Sequence, residues 1–187
     1  WMDCLVKLIH EKKLNKRSVV SLISVGAFNG SNNRESRQRM LYEFDSWKQL
    51  SAREQQTIVD NYDTNKPKSL SEAITLVIKD IKINSRRLPL VKDIINSLDN
   101  PFYDLDDKVE TMASDEEKYL SCALTCSKID GIDLNVTTYA CKDIANGTIT
   151  GKANIAAEVV SVRTYKTKRG KNPGQLMAFL CVEDGTG

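Results

Sequence analysis

The sequence lacks several features on which whole classes of function depend. It contains a single histidine, His10, too few for a Ser/His/Asp catalytic set or a zinc site with several His ligands. It has no glycine-rich phosphate-binding loop, and no carboxylate pair lies in a recognisable strand that could hold Mg²⁺ for phosphoryl transfer. The sequence therefore predicts neither a catalytic residue nor a metal or other cofactor in this chain.

Long apolar runs are missing as well. The longest fall far short of the roughly 20 residues that span a membrane, and no small-residue cleavage site follows the first residues. The cysteines number five and are scattered, which favours reduced thiols, and Cys122 and Cys126 have the spacing of a shared helix face. We therefore expect a cytoplasmic protein without membrane contact. Its first residue, Trp1, suggests a piece of a longer protein.

The 187 residues, 41% hydrophobic and 28% charged, suffice for one sizeable core or two small ones. The net charge of +2 is spread unevenly. Residues 1–49 hold nine cations against five carboxylates (+4), residues 50–141 eleven against sixteen (−5), and residues 142–187 seven against four (+3). Basic ends around an acidic middle fit contact with a polyanion, and ordinary surface variation produces the same pattern.

Hydrophobic spacing predicts helices over the first two-thirds of the chain. Asn15 is placed to cap a helix that Gly26 would end. Ser31 or Asn33 would cap the next helix, and residues 47–61 would form another. The residues that helical spacing places on inward faces are Leu5, Leu8, Ile9, Val19, Leu22, Ile23, Met40, Leu41, Phe44, Ile74, Val77, Ile78, Ile81, Val91, Ile94, Ile95 and Leu98.

Three further signals predict helix starts in the middle of the chain. Ser-x-x-Glu capping boxes lie at residues 69–72 and 114–117. Pro89 lies near the first turn of a helix between them. In the second box, Glu116 is interpreted as a charge at a helix N-terminus.

Strand signals replace the helical spacing after about residue 130. Residues 132–139 are rich in β-branched side chains, and residues 152–168 and 175–184 are strand candidates joined by a turn of Lys, Gly and Pro. The expected fold class is therefore α+β, with a mainly helical first two-thirds followed by strands.

Two constellations are candidates for nucleic-acid contact. The first is the turn Gly26, Ala27 and Phe28 between two helices, which resembles helix-hairpin-helix units whose amides and nearby cations face phosphates. The cations that flank it are Lys16, Arg17, Arg34, Arg37 and Arg39. The alternative is an αα-hairpin with a glycine cap and a solvated basic face.

The second constellation is the basic hairpin near the end of the chain. Its candidate DNA-binding residues are Arg163, Tyr165, Lys166, Lys168, Arg169, Lys171 and Phe179. Oligonucleotide-binding (OB) barrels hold single strands with such cations and rings. The alternative is a solvated hairpin tip whose lysines block edge pairing. The segment at residues 175–179, QLMAF, superficially resembles a clamp-docking peptide, but its alternation favours a strand.

Three segments resemble the alpha subunits of bacterial DNA polymerase III, the C family of replicative polymerases. They are NKRSVVSLISVGAFNG with NRESRQRML, then EEKYLSCALT, then VVSVRTYKTKRGKNPGQLMAFLCVEDGTG. They follow the family's order, and a phage-encoded member would fit their divergence. Asn29 replaces the family's Asp, residues 120–130 lack its second-position Gly and its Gly-His-Pro, and residues 50–112 match little.

The resemblance implies a C-terminal portion of such a polymerase. Residues 1–130 would be the end of the helix-hairpin-helix region and the clamp-proximal helices, 131–150 a connector, and 151–187 the first strands of an incomplete OB barrel. The catalytic palm with its Mg²⁺-binding aspartates would lie upstream, so this piece would position DNA and the parent would be the DNA-directed DNA polymerase.

The resemblance also names partners. They are DNA, as single-stranded template or primer–template duplex, and other replisome subunits, with the sliding clamp as a further candidate. Two other classes stay open: a stand-alone nucleic-acid-binding accessory protein with helices and an OB-like barrel, and a protein–protein adaptor.

Overall fold

The structure is a computed structural model that describes residues 1–11, 14–30, 35–80, 83, 85–169 and 173–186. The protein is α+β, as expected: helices run along most of the chain, and one two-stranded antiparallel sheet lies near its end. The chain divides into two compact units, Trp1–Lys108 and Val109–Gly187. This division precedes the last long helix, whereas the sequence suggested a boundary near residue 130.

Each regular element described in the first unit is a helix. A π-helix comes first and five α-helices follow. Their bounds are Cys4–His10 for the π-helix, Lys16–Ser24 (α1), Arg37–Gln49 (α2), Ala52–Asn65 (α3), Leu70–Asp80 (α4) and Leu88–Asp99 (α5).

One hydrophobic cluster holds this unit together. It gathers the inward faces of the π-helix and of α1 to α5, and Leu5, Ile23, Met40, Leu70 and Leu98 have no exposed surface. Most of the residues that helical spacing assigned to the core are buried, whereas Leu22, Leu41, Ile78 and Ile95 are partly buried and Ile81 lies outside the described residues. Leu8 is 40% exposed, so its assignment to the core is wrong. Each large aliphatic side chain removed from water contributes about 1.5–3 kcal/mol, so this cluster is the main stabilising term of the unit.

Several helix ends confirm the sequence signals. The Asn15 side chain accepts a hydrogen bond from the Ser18 amide at 2.9 Å and caps α1. Gly26 follows α1 with φ +73°, the left-handed conformation that glycine adopts at low cost. Pro89 lies in the first turn of α5. At residues 69–72 the serine hydroxyl accepts the Glu72 amide at 3.2 Å, as the capping box predicts.

Other helix ends differ from the prediction. Ser36, not Ser31 or Asn33, caps α2; the two predicted caps lie outside the described residues. The prediction of one continuous helix over 47–61 is wrong, because α2 ends at Gln49 and Ser51 caps the start of α3. Its hydroxyl accepts the Glu54 amide at 3.3 Å, and the Glu54 carboxylate accepts the Ser51 amide at 2.7 Å.

The described residues of the second unit form two α-helices, two short 3-10 helices and the sheet. Their bounds are Val109–Leu120 (α6), Lys128–Gly131 and Leu134–Val136 (3-10), Cys141–Ala145 (α7), Glu158–Lys166 (β1) and Leu176–Glu183 (β2). The predicted helix start at residues 114–117 is wrong, because both residues of that box lie inside α6. The strand tendency at 132–139 is also overridden, since a 3-10 helix occupies part of it.

Candidate nucleic-acid interface

The basic hairpin forms where the sequence predicted it, although β1 begins at Glu158 and not at residue 152. β1 and β2 pair antiparallel, with Arg163 opposite Phe179, Tyr165 opposite Met177 and Lys166 opposite Leu176. The register shifts between Val159 and Ser161, where β1 has one extra residue. Such a bulge changes which side of the sheet the residues before it occupy.

The register sorts the side chains of the hairpin into two chemically different faces. Side chains alternate along each strand, and directly opposed residues share a face. One face, called here the ring face, carries Ser161, Arg163, Tyr165, Met177, Phe179 and Cys181. The other, the aliphatic face, carries Val162, Thr164, Lys166, Leu176, Ala178 and Leu180. Nearly every residue of both strands is exposed.

The centre of the ring face is a stacked aromatic pair. The ring centroids of Tyr165 and Phe179 lie 5.3 Å apart with planes inclined by 15°. The Tyr165 hydroxyl lies 3.6 Å from the thioether sulfur of Met177, which it meets across the strands. Phe179 is 66% exposed and Tyr165 40%. An exposed aromatic surface of this kind is a platform on which a planar group can stack.

The cations predicted for the hairpin do not all lie together. Arg163 is directly opposite Phe179 on the ring face, and Lys168 and Arg169 are exposed in the turn beyond β1. Lys166 lies on the aliphatic face, away from the rings. Lys171 lies outside the described residues. The alternation of the strand therefore separates Lys166 from the aromatic pair, although its sequence position suggested one continuous patch.

An ionic bridge fixes the base of the hairpin. The Lys128 ammonium lies 2.5 Å from Glu117 of α6 and 2.5 Å from Glu158, the first residue of β1. The hydrogen bonds that Lys128 donates, first to Glu117 and then to Glu158, raise the pKa of Lys128. Partly exposed pairs of this kind contribute little stability. Here they join the first residue of β1 to α6 within the second unit.

The turn after β2 supplies a cap to α7. This helix begins after Ala140, which has no side-chain acceptor, and the Asp184 carboxylate accepts the Cys141 amide at 2.7 Å instead. The hydroxyl and amide of Thr186 also donate to Asp184, at 2.5 and 2.8 Å. Bonds from the Thr186 hydroxyl, then from the two amides, lower the pKa of Asp184 to about 2. The Glu-Asp-Gly-Thr segment is thereby joined to the connector.

The geometry of the Gly26 turn favours the αα-hairpin alternative. The Ala27 amide donates to the Leu22 carbonyl at 2.9 Å and the Gly26 amide to the Ile23 carbonyl at 2.9 Å. These two bonds form a Schellman motif, the common C-terminal cap of a helix. Both amides therefore point into α1 and not towards a phosphate. Phe28 packs on the core, 5.6 Å from the Trp1 ring.

Two of the arginines that flank the Gly26 turn have a structural role within the first unit. Arg37 is 3% exposed and donates from Nη1 to the Ser24 carbonyl at 2.9 Å. Arg39 donates to Glu43 at 3.0 Å and to the Leu98 carbonyl at 3.0 Å. Their guanidinium groups are thus engaged within the protein.

The other predicted cations of this first constellation divide into two sets. Lys16 and Arg17 are exposed on the first turn of α1, and Arg34 lies outside the described residues. Cations at a helix N-terminus oppose the helix dipole, so Lys16 and Arg17 do not stabilise α1. The structure leaves them accessible for an anion.

Glu116 is a structurally important residue, and its predicted position at a helix N-terminus is wrong. It lies inside α6 with no exposed surface, and not at a helix N-terminus. Its carboxylate accepts the amides of Leu124 at 2.6 Å and Thr125 at 2.8 Å, together with the Thr125 hydroxyl. The loop after α6 therefore folds back over a buried carboxylate. This loop also removes Cys122 and Cys126 from any shared helix face, because α6 ends at Leu120.

The fold and the site define a class of structure: a helical unit followed by a unit with an exposed, two-faced β-hairpin. Comparison with protein-family models, curated proteins and solved structures finds no match. Within the described part of the chain, no helix has the length and apolar character to cross a bilayer. Nor do three or more His, Cys, Asp or Glu side chains of those residues gather as a metal site would require.

Proposed function

We propose that this chain is the DNA-binding C-terminal portion of a C-family replicative DNA polymerase and that its basic hairpin contacts DNA. The parent enzyme would perform nucleotidyl transfer with Mg²⁺ in a palm domain, and the present chain would position the strand. The hairpin would be the first pair of strands of an OB barrel. The three segments that resemble the family, in the family's order, support this assignment.

The ring face of the hairpin is the observation that carries the proposal. Tyr165 and Phe179 form an exposed stack, with Arg163 beside Phe179 and two further cations at the turn. Proteins that bind single strands combine rings, on which bases stack, with cations that follow the phosphates. A solvated hairpin tip requires lysines but does not require exposed rings on the same face.

The aliphatic face supports the OB part of the proposal. Val162, Leu176 and Leu180 are 54%, 68% and 58% exposed, and all three lie on the side opposite the rings. In a small barrel the interior side of each strand is apolar and the outer side is free to bind a ligand. The hairpin has this division of chemistry, and a barrel formed with further strands would bury the aliphatic face.

A titration of labelled single-stranded DNA with the full chain tests the proposal. We expect Phe179→Ala and Tyr165→Ala each to weaken binding by roughly 1–3 kcal/mol, the usual contribution of a stacked base. Leu176→Ala is the matched control because it removes an equally exposed side chain from the opposite face. Its binding should equal that of the unchanged chain. Equal losses for ring and aliphatic variants would contradict the proposed interface.

The salt dependence of the same binding gives an independent readout. Each contact with a single-strand phosphate adds about −0.7 to the slope of log K against log salt. We expect Lys168→Gln with Arg169→Gln to reduce this slope by about 1.4. Lys142→Gln with Lys152→Gln removes two exposed cations elsewhere in the second unit and should leave the slope unchanged. The absence of any salt-sensitive binding would favour the adaptor class, which contacts no nucleic acid.

The membership in a polymerase is tested separately from DNA binding. We expect the coding sequence upstream of Trp1 to contain the acidic motifs of a polymerase palm. A start codon at Met2 with no such motifs upstream would exclude the polymerase and leave the stand-alone accessory protein. DNA binding by the hairpin would survive that result, so the two parts of the proposal can fail independently.

A further inference from the structure

An exposed acidic loop in the first unit presents aromatic side chains to solvent. The loop comprises residues 99–107 and is called here the acidic loop; it contains four aspartates and no cation. Phe102 is 86% exposed and Tyr103 61%. A phenylalanine this exposed, next to a tyrosine, is uncommon on a surface that contacts only water.

The acidic loop is held at both ends. At its start, the Asn100 amide donates to the Asn96 carbonyl of α5 at 2.8 Å. Leu105 is buried, and its carbonyl accepts the Ser36 hydroxyl at 2.5 Å. The Asp107 carboxylate accepts the amides of Arg37 at 3.0 Å and Gln38 at 3.1 Å, at the start of α2. Because the ends are fixed, little conformational entropy would be lost when the loop binds a partner.

The middle of the loop is supported by an aromatic contact. The ring of Tyr103 meets that of Tyr42 edge-on, with centroids 5.7 Å apart. Both tyrosines, together with Phe102, Leu90 and Asp93, line one groove beside α2. Phe102 therefore projects from a fixed, acidic surface.

A second groove in the same unit has the complementary chemistry. It has a volume of about 320 Å³ and is lined by Ile9, His10, Leu14, Lys16, Phe44, Trp47, Lys48 and Gln55. None of these described lining residues is a carboxylate. We call it the basic groove: its floor is apolar and aromatic, and its titratable side chains are two lysines and one histidine.

The two surfaces lie on opposite flanks of α2. A helix advances about 100° per residue, so Phe44 and Trp47 point to one side of α2 and Tyr42 and Ser46 to the other. Asp45 and Lys48, which pair with each other, lie on the exposed ridge between them. Two copies related by a two-fold axis over this ridge can each offer one surface to the other.

We propose that the first unit associates with a second copy of this chain through these two surfaces. Phe102 of each copy occupies the basic groove of the other, and Lys16 at the groove faces Asp93 and the carboxylates of the acidic loop. In an isologous dimer, the Phe102 interaction and the Lys16 interaction each occur twice, once in each direction. The proposal is independent of the DNA contact at the hairpin.

The negative charge of the acidic loop favours a protein partner over a nucleic acid. The acidic loop and the neighbouring Asp93 would repel a polyanion, so the aromatic side chains there cannot serve as a base-stacking platform. The same carboxylates attract a basic surface, and the basic groove supplies one within this chain. An apolar anchor surrounded by opposite charges is the usual composition of a specific protein interface.

Sedimentation equilibrium of the full chain tests the proposal over concentrations from about 10 µM to about 1 mM, the range of weak complexes. We expect a monomer–dimer equilibrium that Phe102→Ala weakens by at least about 10-fold, since it removes the anchor from both contacts. Lys16→Glu and Asp93→Lys should each weaken the dimer, and the double variant should restore a large part of the association. Lys16 and Asp93 are both exposed and do not belong to the hydrophobic core, so their replacement should not unfold the unit.

Two controls separate this interface from others. Lys79→Glu reverses an exposed charge on α4, and Leu176→Ala truncates an exposed apolar residue of the hairpin; both should dimerise like the unchanged chain. A chain that remains monomeric at the highest concentration would overturn the proposal. So would an association that Leu176→Ala abolishes, or that Phe102→Ala leaves intact, because the contact would then lie elsewhere.

Discussion

Replacement of Glu116 should release the loop that follows α6. The Glu116 carboxylate is completely buried and accepts two amides and a hydroxyl from Leu124 and Thr125. Glu116→Ala removes the acceptor of all three bonds. The loop then has no partner of equal strength, because a neutral water would replace a charged acceptor.

The magnitude follows from the kind of bond that is lost. A hydrogen bond to a charged group contributes about 1.5–3 kcal/mol, and losses at one site are not additive. The donors lie on residues that are themselves exposed, so water compensates part of the loss. We therefore expect the local opening of the loop to become easier by about 3 kcal/mol, which is about a hundredfold.

Amide hydrogen exchange at Leu124 and Thr125 measures this opening directly. In Glu116→Ala both amides should exchange about a hundredfold faster than in the unchanged chain. Glu116→Gln keeps the size and one acceptor oxygen, so it should give an intermediate rate. Glu117→Ala is the matched control: it breaks only the partly exposed pair with Lys128 and should not affect these amides. If the Leu124 and Thr125 amides of the unchanged chain were unprotected, Glu116 would not hold the loop.

Two further predictions concern the caps. Gly26→Ala should destabilise the first unit by roughly 2 kcal/mol, because φ is +73° and a Cβ would lie 2.8 Å from Arg37 Nη2. Urea unfolding followed by tryptophan fluorescence measures this change. Gly30→Ala is the control and should be neutral, because a Cβ there meets open space; equal effects of the two substitutions would contradict the steric argument. The Cys141 amide resonance should titrate with the Asp184 pKa of about 2. Because this folded-state pKa lies below the ordinary 3.8, the cap stabilises above that value and is lost as pH falls through 2; a midpoint near 3.8 would show that the bond is absent.

Local patterns predicted the first unit well because its stabilising features are local. Helical spacing identified core residues such as Ile23 and Met40, and these are buried. The Asn15 cap and the Gly26 terminus each depend on residues within one or two turns of the helix end. A single sequence contains all the information that such features require.

Features fixed by residues distant in the sequence could not be predicted in this way. Asp107 caps α2 from 70 residues away, and Asp184 caps α7 from 43 residues away. Glu116 has the sequence context of a surface helix start, yet the loop that folds over it makes it a buried acceptor. In each case the backbone donors are satisfied by a side chain that only the tertiary fold brings near.

The hairpin shows where prediction of the candidate site stops. Its strands and turn follow from β-branched alternation, but the assignment of side chains to faces depends on register, and one residue of slip exchanges the faces. The pairing of Tyr165 with Met177 places the rings with Arg163 and places Lys166 with the aliphatic residues. Because a ligand and a barrel interior require opposite faces, Lys166 is the one cation among the described residues of β1 and its turn that the proposed contact does not need. Lys166→Gln should therefore leave the salt slope of DNA binding unchanged, whereas Arg163→Gln should reduce it by about 0.7; the reverse result would place the DNA on the aliphatic face.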